Sequence, residues 1–202
     1  MAQSIIVIGG GGYAGVVIDC IRASGGSVAG ILDDGIAAGT RVLGVPVLGV
    51  TAEYEKYMDC LFVIAIGNNA IRRRIARSLP VRWTSVAHPS AVVSPYASVG
   101  DGTVILPRAV VNAGASVGSH CILNTGAVVE HDDRLADFVH ISPNAALGGT
   151  VTVGEGTHIG IGACVRNNLD ICGGCTIGAG AAVVKNITQP GTYVGVPARR
   201  ME

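Results

Sequence analysis

One hexapeptide concentrates the charge of the chain: Val129-Glu130-His131-Asp132-Asp133-Arg134 places five ionisable side chains in succession. His131 is suited to proton transfer, because an unperturbed imidazole pKa of about 6.5 lets it accept a proton at neutral pH. A neighbouring carboxylate, Glu130 or Asp132, can fix the tautomer of the ring and stabilise the imidazolium that forms. The residue types therefore predict a general base at His131.

A second candidate site lies near the N-terminus, where the glycine run 9–12 follows an apolar strand pattern and precedes a helical one. Such glycines let the backbone approach a pyrophosphate, and the N-terminus of a helix favours anions. Asp33 follows about twenty residues later, where a ribose-binding acid is expected. The loop Gly67-Asn68-Asn69 ends a later strand. We expect a nucleotide site here; the alternative is a tight strand–helix turn without a ligand.

The element that must position His131 is a repeat with a period of six residues. From Val93 to Val183 every sixth residue is a branched aliphatic, and the residue four places further on is mostly small. Helices and plain strands lack this period. Short strands joined by tight turns fit it, provided that the repeats stack and share one core. Glycines at the second place, such as Gly100 and Gly118, are expected to supply the turn conformations. The pattern predicts a parallel β-helix.

Several side chains of this repeat lead to separate predictions. Asp133 is the one charged residue in the inward fifth column, and a buried carboxylate is costly unless it is paired. We expect Arg134 or His131 as its partner, or a distorted corner that exposes it. If one coil holds eighteen residues, His140 and His158 stack on the same face, although an ordinary surface position is the alternative for His158. His120 is expected at the surface.

Residues 1–86 lack the six-residue phase and predict a small α/β domain, a half-Rossmann fold, ahead of a β-helix domain with a C-terminal tail at residues 87–202. Strands are expected at residues 4–9, 27–32 and 60–66, with helices at residues 13–23, 51–57 and 69–79. The four arginines of the last helix are expected to form a solvated face: Arg72, Arg73, Arg74 and Arg77.

Composition excludes several classes of function. The 14 basic and 14 acidic residues give no basic field for nucleic acid and no cationic membrane face. No apolar run approaches about eighteen residues, and no basic segment precedes the first one. We therefore expect a cytoplasmic protein without a membrane segment. The cysteines form no evident disulfide framework, and Cys172 and Cys175 are expected to face apart.

The whole chain resembles the NeuD- and PglD-like family of sugar O-/N-acetyltransferases, which belong to the hexapeptide-repeat acyltransferases. The stretches that carry this resemblance are Ile8-Gly9-Gly10-Gly11-Gly12-Tyr13, Leu32-Asp33-Asp34, Ala65-Ile66-Gly67-Asn68-Asn69, Leu123-Asn124-Thr125, Val129-Glu130-His131-Asp132, Val139-His140-Ile141-Ser142 and Tyr193-Val194-Gly195-Val196-Pro197-Ala198-Arg199. The resemblance implies a left-handed coil of three hexapeptides, a nucleotide-binding domain ahead of it, and trimers.

The resemblance also implies an activity: acetyl-CoA-dependent N-acetylation of a nucleotide-linked amino sugar, of the UDP-4-amino-4,6-dideoxy type, without a metal. His131 would be the base, and Asp132, where the family usually has Glu, would raise its basicity. His140 would lie near the acetyl thioester from the adjoining chain, and the N–H of Gly149 would face the oxyanion. The resemblance also implies two groups of substrate-binding residues. The backbone near Ile161 and Ala179 would hold the pantetheine arm, and the nucleotide sugar would be held by Gly11, Gly12, Tyr13, Asp33, Asp34 and Gly67. Tyr13 stands where family members often have His.

The residues favour a homotrimer as well. No insertion interrupts the hexapeptides, so no loop covers the flat face of a prism, and a pocket is expected between neighbouring subunits. The main alternative is a sialic acid O-acetyltransferase, which differs in its acceptor. Two other classes are a γ-type carbonic anhydrase, with zinc on His131, His140 and His158, and a nucleotide-binding scaffold without catalysis.

Overall fold

The computed structural model describes residues 4–201, and its N-terminal part is a parallel sheet built from apolar strands. β1 (Ile5–Ile8) is buried along its whole length between β2 (Val28–Leu32) and β5 (Leu61–Ile64). β3 (Arg41–Val42) and β4 (Val45–Gly49) extend the sheet in the order β3-β4-β2-β1-β5. The β3–β4 hairpin was not among the predicted elements. Its two-residue turn, Leu43-Gly44, has positive φ at both positions, 47° and 80°, which is the conformation that matches strand twist in hairpins.

Two helices and one 3-10 helix flank this sheet: α1 (Gly12–Ala23), α2 (Asn69–Ser78) and Thr51–Tyr57. Of the apolar face predicted for α1, Val17, Cys20 and Ile21 are buried, whereas Val16 is 42 % exposed and Ile18 is buried in its place. No helix within residues 4–201 is both long and apolar enough to cross a bilayer.

The rest of the chain winds into a parallel β-helix with three faces, which confirms the predicted fold class, a left-handed β-helix behind a Rossmann-like domain. The first face contains β6 (Val86–Ala87), β9 (Val104–Ile105), β12 (Ile122–Leu123), β15 (His140–Ile141), β18 (His158–Ile159), β21 (Cys175–Ile177), β23 (Gly191–Val194) and β24 (Arg199–Arg200). The second face contains β7 (Val92–Val93), β10 (Val110–Val111), β13 (Val128–Val129), β16 (Ala146–Leu147), β19 (Cys164–Val165) and β22 (Ala182–Val183). The third face contains β8 (Ser98–Val99), β11 (Ser116–Val117), β14 (Arg134–Leu135), β17 (Thr152–Val153) and β20 (Asp170–Ile171).

Register shows that each coil holds three hexapeptides. Val110 pairs with Val128, eighteen residues on, and His140 pairs with His158 at the same interval. The first-place aliphatic and fifth-place small side chains fill the interior, where Val129, Ala127 and their equivalents form one continuous core. The predicted stacking of His140 on His158 is therefore confirmed: their ring centroids lie 4.7 Å apart.

Glycine has two separate roles in the corners, and one prediction about it was wrong. Positive φ recurs at every sixth residue from Gly102 to Gly180, which is the fourth place of the hexapeptide, whether or not that residue is glycine. The second-place glycines do not have positive φ. A Cβ at Gly100 or Gly118 would instead lie within 2.7 Å of backbone atoms of the next coil. Glycine is needed at the second place because successive coils approach each other closely there.

The outer surfaces of the second and third faces differ in polarity. Outward-pointing residues of the third face are polar: Ser98, Ser116, Arg134, Thr152 and Asp170. Those of the second face are apolar or weakly polar: Val92, Val110, Val128, Ala146, Cys164 and Ala182. Val92 and Cys164 are exposed in the single chain, and the other four are half-buried. The second face is thus the side of the prism that a partner of similar apolar character can cover.

Arg72 joins the two parts of the chain, contrary to its predicted place on a solvated face. It is 1 % exposed. Its guanidinium donates to the carbonyls of His120 (2.7 Å) and Phe138 (3.1 Å) in the β-helix and to Ile66 (3.0 Å) and Gly67 (3.2 Å) in its own domain. Burial lowers the pKa of Arg72 to about 10.

The other predicted members of that face also make contacts. Arg73 and Arg77 form ion pairs with Glu155 of the β-helix at 3.3 and 3.0 Å. Arg74 lines a cavity at the end of the N-terminal sheet. The solvated-face prediction is therefore wrong for Arg72, because α2 packs directly against the β-helix there, whereas Arg74 and Arg77 are exposed as predicted.

Two further predictions about single residues were wrong. His120 is buried, with its ring stacked on Phe138 at 5.4 Å and edge-on to Trp83 at 4.9 Å, so it belongs to the junction between the two parts. The sulfur atoms of Cys172 and Cys175 lie 3.5 Å apart rather than facing away from each other. Their corner turns tightly enough to bring a second-place side chain back over the fifth-place residue.

Candidate functional site

His131 lies in the corner between the second and third faces. One of its ring nitrogens is hydrogen-bonded, and the other has no hydrogen bond to any of residues 4–201. Its Nδ1 is 2.9 Å from Oδ2 of Asp132. Since a carboxylate accepts hydrogen bonds, this contact places the proton on Nδ1 and leaves Nε2 with a lone pair. The Asp132 backbone has φ 60°, the left-handed corner conformation, which Asp adopts more readily than most residues. The corner conformation therefore brings the carboxylate next to the ring.

Gly149 occupies the equivalent corner one coil further on. A Cβ at Gly149 would lie 2.6 Å from Cε1 of the His131 ring and would overlap Nε2. The backbone of this corner is also tied to His131, because the N–H of Thr150 donates to the His131 carbonyl at 2.9 Å. A side chain at this position would therefore displace the imidazole from its present place over Gly149, so glycine here leaves room for the ring.

The charge around His131 favours its protonated form. The hydrogen bond to Asp132 is the largest cause that raises the pKa of His131 above its usual range, and the charges of Asp132, Glu130 and Asp133 act in the same direction. A raised pKa makes the imidazole a stronger base once it is neutral. This corner can therefore accept a proton at Nε2 and stabilise the resulting imidazolium.

Asp133 is fully buried, but neither predicted partner is the one it uses. Its Oδ2 accepts the N–H of Glu130 and its Oδ1 accepts the N–H of Val151, both at 2.8 Å. Burial raises the pKa of Asp133 to about 6, and these two hydrogen bonds oppose the rise. Arg134 points outward from the third face and cannot reach an inward carboxylate.

His140 and His158 lie on the first face, in a cleft between the β-helix and the loop that precedes α2. A cavity of about 510 Å³ is lined there by both rings together with Gly67, Asn68 and Asn69. Nε2 of His140 lies 3.1 Å from Nδ2 of Asn124, and Nε2 of His158 lies 2.7 Å from Oγ of Ser142.

Both rings are held in the neutral form. Burial, with smaller effects from the charges of His158 and Arg72, lowers the pKa of His140 to about 3. Burial also lowers the pKa of His158. Because the amide of Asn124 donates to Nε2, the proton of His140 resides on Nδ1, a buried atom that faces the backbone of Gly67. These two rings can therefore offer neutral hydrogen-bonding groups rather than cations.

A second cavity, of about 420 Å³, opens where β1 and β2 end. It is lined by Gly9, Asp33, Asp34, Thr51 and Arg74, among others. Oδ2 of Asp33 accepts the N–H of Gly10 at 2.7 Å, and Oδ1 of Asp34 accepts the N–H of Thr51 at 2.7 Å. The two carboxylates therefore hold the ends of the loops that surround the cavity.

The glycine run 9–12 divides into two pairs. Gly9 has φ 98°, and a Cβ at Gly10 would lie 2.9 Å from the side chain of Ile36, so the fold itself needs both. A Cβ at Gly11 or Gly12 would meet no atom within 4 Å. Gly11 is the N-cap of α1 and brings no side-chain cap. The amides at this helix N-terminus are thus accessible to an anion.

Tyr13, in the first turn of α1, points into the protein. Its hydroxyl is buried and has no hydrogen-bond partner within the described part of the chain. Burial raises the pKa of Tyr13, and the charge of Arg72 opposes that rise. The side chain packs against the core around α1.

The predicted site residues fall into separate groups within one chain. Asp132 and Gly149 surround His131, His140 faces Gly67, and Asp33 and Asp34 lie near the N-terminus of α1. Ile161 and Ala179 stack on successive coils at the corner between the first and second faces, where the N–H of Gly180 donates to the Ile161 carbonyl at 2.8 Å. The whole second face separates that corner from His131. One chain does not bring the two corners together.

Several residues that line these cavities or contact their histidines were not predicted as site residues: Arg74, Asn124, Ser142 and Thr176. Asn124 and Ser142 lie sixteen residues before the histidines they contact, and that interval becomes meaningful only when the coil length is known. Among residues 4–201, no three His, Cys, Asp or Glu side chains come close enough together to hold a metal ion.

Known protein families and curated proteins match part of the chain, and solved structures match its whole length. Residues 4–79 match the model of the PglD N-terminal domain. The UDP-N-acetylbacillosamine N-acetyltransferase of Bacillus subtilis (strain 168) is 40 % identical over 111 residues, which cover 52 % of this chain and 51 % of that protein. The match with this curated relative thus spans about half of its length.

Two solved structures are similar over the full length. PerB from Caulobacter crescentus, in complex with CoA and GDP-perosamine, is 37 % identical, with a TM-score of 0.94 and coverage of 100 % of this chain and 99 % of that chain. The acetyltransferase domain of PglB from Neisseria gonorrhoeae FA1090, in complex with acetyl coenzyme A, is 38 % identical, with a TM-score of 0.93 and full coverage of both chains.

Proposed function

The chain belongs to the PglD-like family of sugar acetyltransferases, and on that premise we propose that it transfers the acetyl group of acetyl-CoA to the amino group of a nucleotide-linked amino sugar. The observation that carries this proposal is the His131 corner, where Nε2 is free while Asp132 holds Nδ1 at 2.9 Å. Full-length similarity to proteins solved with CoA, GDP-perosamine or acetyl coenzyme A supports the choice of substrates.

In the proposed reaction His131 acts as the general base. The sugar amine attacks the thioester carbonyl while Nε2 of His131 takes the proton that the amine loses, and the thiolate of CoA leaves. Asp132 stabilises the imidazolium through Nδ1–H. The N–H of Gly149, next to the ring, is the proposed donor to the oxyanion. No metal takes part in this scheme.

The nucleotide sugar is proposed to bind at the end of the N-terminal sheet. The uncapped amides at Gly11 and Gly12 suit its diphosphate, because a helix N-terminus favours anions. Asp33 and Asp34 line the cavity beside them, and Arg74 adds a positive charge. Gly67 lies between this cavity and His140, which suits a sugar that extends toward the β-helix. The role of Tyr13 would be to shape this helix turn from within.

Acetyl-CoA is proposed to bind along the outside of the β-helix. The stacked corner of Ile161 and Ala179 offers backbone groups to the pantetheine arm, and Ile161 is 59 % exposed. His140 follows on the adjacent first face, where it would contact the acetyl group. Because His131 lies on the other side of the second face, these groups can act on one substrate pair only if two chains contribute.

A homotrimer with sites between subunits satisfies this requirement. The apolar column of the second face, from Val92 to Ala182, gives each chain a surface that a second copy can cover. Three copies around one axis bring the His131 corner of one chain toward the first face of the next. We also propose that the enzyme works in the cytoplasm.

The test is thiol release by the purified protein with acetyl-CoA and one of three acceptors: GDP-perosamine, a UDP-linked 4-amino-4,6-dideoxy sugar, or sialic acid. We expect turnover with one of the first two. Replacing His131→Ala should lower kcat by roughly 10²- to 10⁴-fold, the usual contribution of a general base. His88→Ala, at a half-buried histidine hydrogen-bonded to Ser90, is the matched control and should not change kcat.

The outcomes separate the alternatives. Turnover with sialic acid alone would replace N-acetylation by O-acetylation on the same scaffold. Wild-type kcat in the His131→Ala variant would rule out the imidazole as the base while leaving the acetyl transfer intact.

A further inference from the structure

The hydrogen-bond ladder of the second face is interrupted beside His131. Each neighbouring pair of strands is joined through two residues, but β13 and β16 pair only through Val128 and Ala146. In a regular coil the second-place N–H donates to the first-place carbonyl of the next coil, as Asn112 does to Val129 at 2.9 Å. The second-place donor at the interruption is Glu130, the residue before His131.

Asp133 provides the acceptor for this displaced donor and for a second one. It takes the N–H of Glu130 on one carboxylate oxygen and that of Val151 on the other, both at 2.8 Å. A fifth-place N–H such as that of Val151 ordinarily donates within its own corner, as Ala145 does to Ser142 at 3.1 Å. Both donors have thus exchanged a backbone partner for the same carboxylate.

These two donors belong to the two corners that form the His131 site. Glu130 directly precedes His131, and Val151 directly follows the Gly149-Thr150 corner. The carbonyl of His131 accepts the N–H of Thr150 at 2.9 Å, so the two corners are joined on the outside as well. The imidazole lies over Gly149 where a Cβ would overlap it.

We propose that Asp133 is a positioning residue for the reaction at His131: its buried carboxylate joins the corner that carries His131 to the corner that carries Gly149, in place of the regular ladder. This inference rests on the proposed acetyl transfer with His131 as the base. Two threonines occupy the same column elsewhere. Thr103 and Thr157 each accept one N–H and donate to a carbonyl. A carboxylate suits this corner because it must accept two N–H groups and donate none.

The charge of Asp133 also acts on the imidazole. The charged groups that face His131 are Asp132, Glu130 and Asp133, and all three raise its pKa. The groups that act on Asp133 are Glu130, which raises its pKa, and His131, which lowers it. Removing the charge of Asp133 therefore lowers the pKa of His131 and moves the acid limb of the pH–rate profile to lower pH.

The experiment compares Asp133→Asn, Asp133→Ala and Thr103→Ala with the wild type. Asn keeps the shape, but its amide nitrogen cannot accept an N–H. Ala is the commonest residue of this column, so Asp133→Ala is expected to fold and carries the test if Asp133→Asn does not. Thr103→Ala removes a similar bond between coils at a corner without a catalytic histidine.

We expect both Asp133 variants to lose about 10- to 100-fold in kcat with acetyl-CoA and the accepted nucleotide sugar, because a small displacement of a catalytic group costs this much. KM for both substrates should change little, and the acid limb should move to lower pH. Thr103→Ala should lower the melting temperature but leave kcat and the pH profile unchanged. Wild-type kcat and pH profile in the folded Asp133 variants would overturn the inference while the acetyl transfer stands.

A measurement that does not depend on acetyl transfer distinguishes failure of the proposed function from failure of the role proposed for Asp133. If the wild type transfers acetyl to none of the acceptors, the NMR titration of the ¹³C-labelled His131 ring still tests the role of Asp133. A lower titration midpoint in Asp133→Asn, with the midpoint unmoved in Thr103→Ala, supports the inference. Identical midpoints in the wild type and Asp133→Asn overturn it.

Discussion

At the scale of single residues, the His131 corner shows why adjacent residues can form a working pair in this fold. In an extended strand neighbouring side chains point to opposite faces. The left-handed conformation of Asp132, φ 60°, removes that alternation and turns its carboxylate back onto the preceding ring. The pair was predictable from the sequence because both partners are neighbours in the chain and no distant residue is needed to bring them together.

The carboxylate of Asp132 should control the pH at which the enzyme becomes active. A base must be neutral to accept a proton, so the rate rises with pH through the pKa of His131, which the Asp132 hydrogen bond raises. Asp132→Asn keeps an acceptor for Nδ1–H but removes the charge. We expect kcat to fall by roughly 10- to 100-fold and the acid limb to move to lower pH. Asp137→Asn, a corner residue that accepts the N–H of Ser119, is the control and should shift neither.

Asp133 was predictable as an anomaly, but its partners were not. One of its two donors, Val151, is eighteen residues away and becomes a neighbour only through the coil length. The prediction from charge chose Arg134 and His131, which are near in sequence. Backbone amides satisfied the carboxylate instead, and a single sequence does not reveal which amides have lost their regular partners.

The raised pKa of Asp133 predicts a specific dependence of stability on pH. Its pKa of about 6 in the folded protein exceeds the ordinary value of 3.8, so the folded state binds the extra proton first. Stability from this group therefore rises as pH falls from about 7 toward 4. Between pH 7 and pH 4 the free energy of unfolding of the wild type should rise, relative to that of Asp133→Asn, by on the order of 2 kcal/mol. Melting temperatures measured at equal protein concentration across this range check the prediction. A pH-independent difference would contradict the buried, ionised carboxylate.

At the scale of elements, the glycine run before α1 contains two glycines that the fold needs, Gly9 and Gly10, and two that it does not, Gly11 and Gly12. Gly12→Ala places a methyl group where no atom lies within 4 Å, at the start of a helix, so the melting temperature should not fall. We expect KM for the nucleotide sugar to rise about tenfold, because the methyl group would occupy the space for the diphosphate. Gly15→Ala, whose Cβ would face Leu43 at 3.9 Å, is the matched control and should leave KM unchanged. An unchanged KM in Gly12→Ala would place the diphosphate elsewhere.

The strands of the β-helix were predictable because each six-residue repeat forms one short strand and one corner of the coil. The inward columns follow from that period. The stacking of His140 on His158 also needs a coil of eighteen residues, which the family resemblance implied and the period by itself did not. The β3–β4 hairpin was missed because its strands are short and Arg41, Thr40 and Gly44 interrupt any alternation. The second-place glycines were predicted to supply turn conformations, whereas they allow close contact between coils. The sequence around a glycine does not distinguish these two roles.

At the scale of the whole molecule, Arg72 should hold the N-terminal part against the β-helix. Arg72→Ala leaves the buried carbonyls of His120 and Phe138 without a donor, so we expect a loss on the order of 3 kcal/mol in the free energy of unfolding. Arg73→Ala breaks an ion pair that is nearly half exposed and should cost at most about 1 kcal/mol. Urea unfolding followed by Trp83 fluorescence measures both. Equal losses would show that the buried guanidinium does not join the two parts.

No local pattern distinguished Arg72 from Arg73, Arg74 and Arg77. They become different only once the position of the β-helix beside α2 is known, because one helix face then meets the corner carbonyls while the others meet Glu155 or the cavity at the end of the sheet. The function of each arginine is therefore decided by the packing of one part of the chain on the other.

The separation of His131 from His140 within one chain leads to a test of the proposed assembly. If each site takes His131 from one subunit and His140 from its neighbour, His131→Ala and His140→Ala are each nearly inactive alone. Unfolding and refolding an equimolar mixture should then restore roughly a quarter of wild-type activity, since that fraction of sites in random trimers combines two intact histidines. Mixing without subunit exchange is the control and should restore none. Because sites contained within single chains cannot be repaired by exchange, a refolded mixture without activity would contradict the shared site.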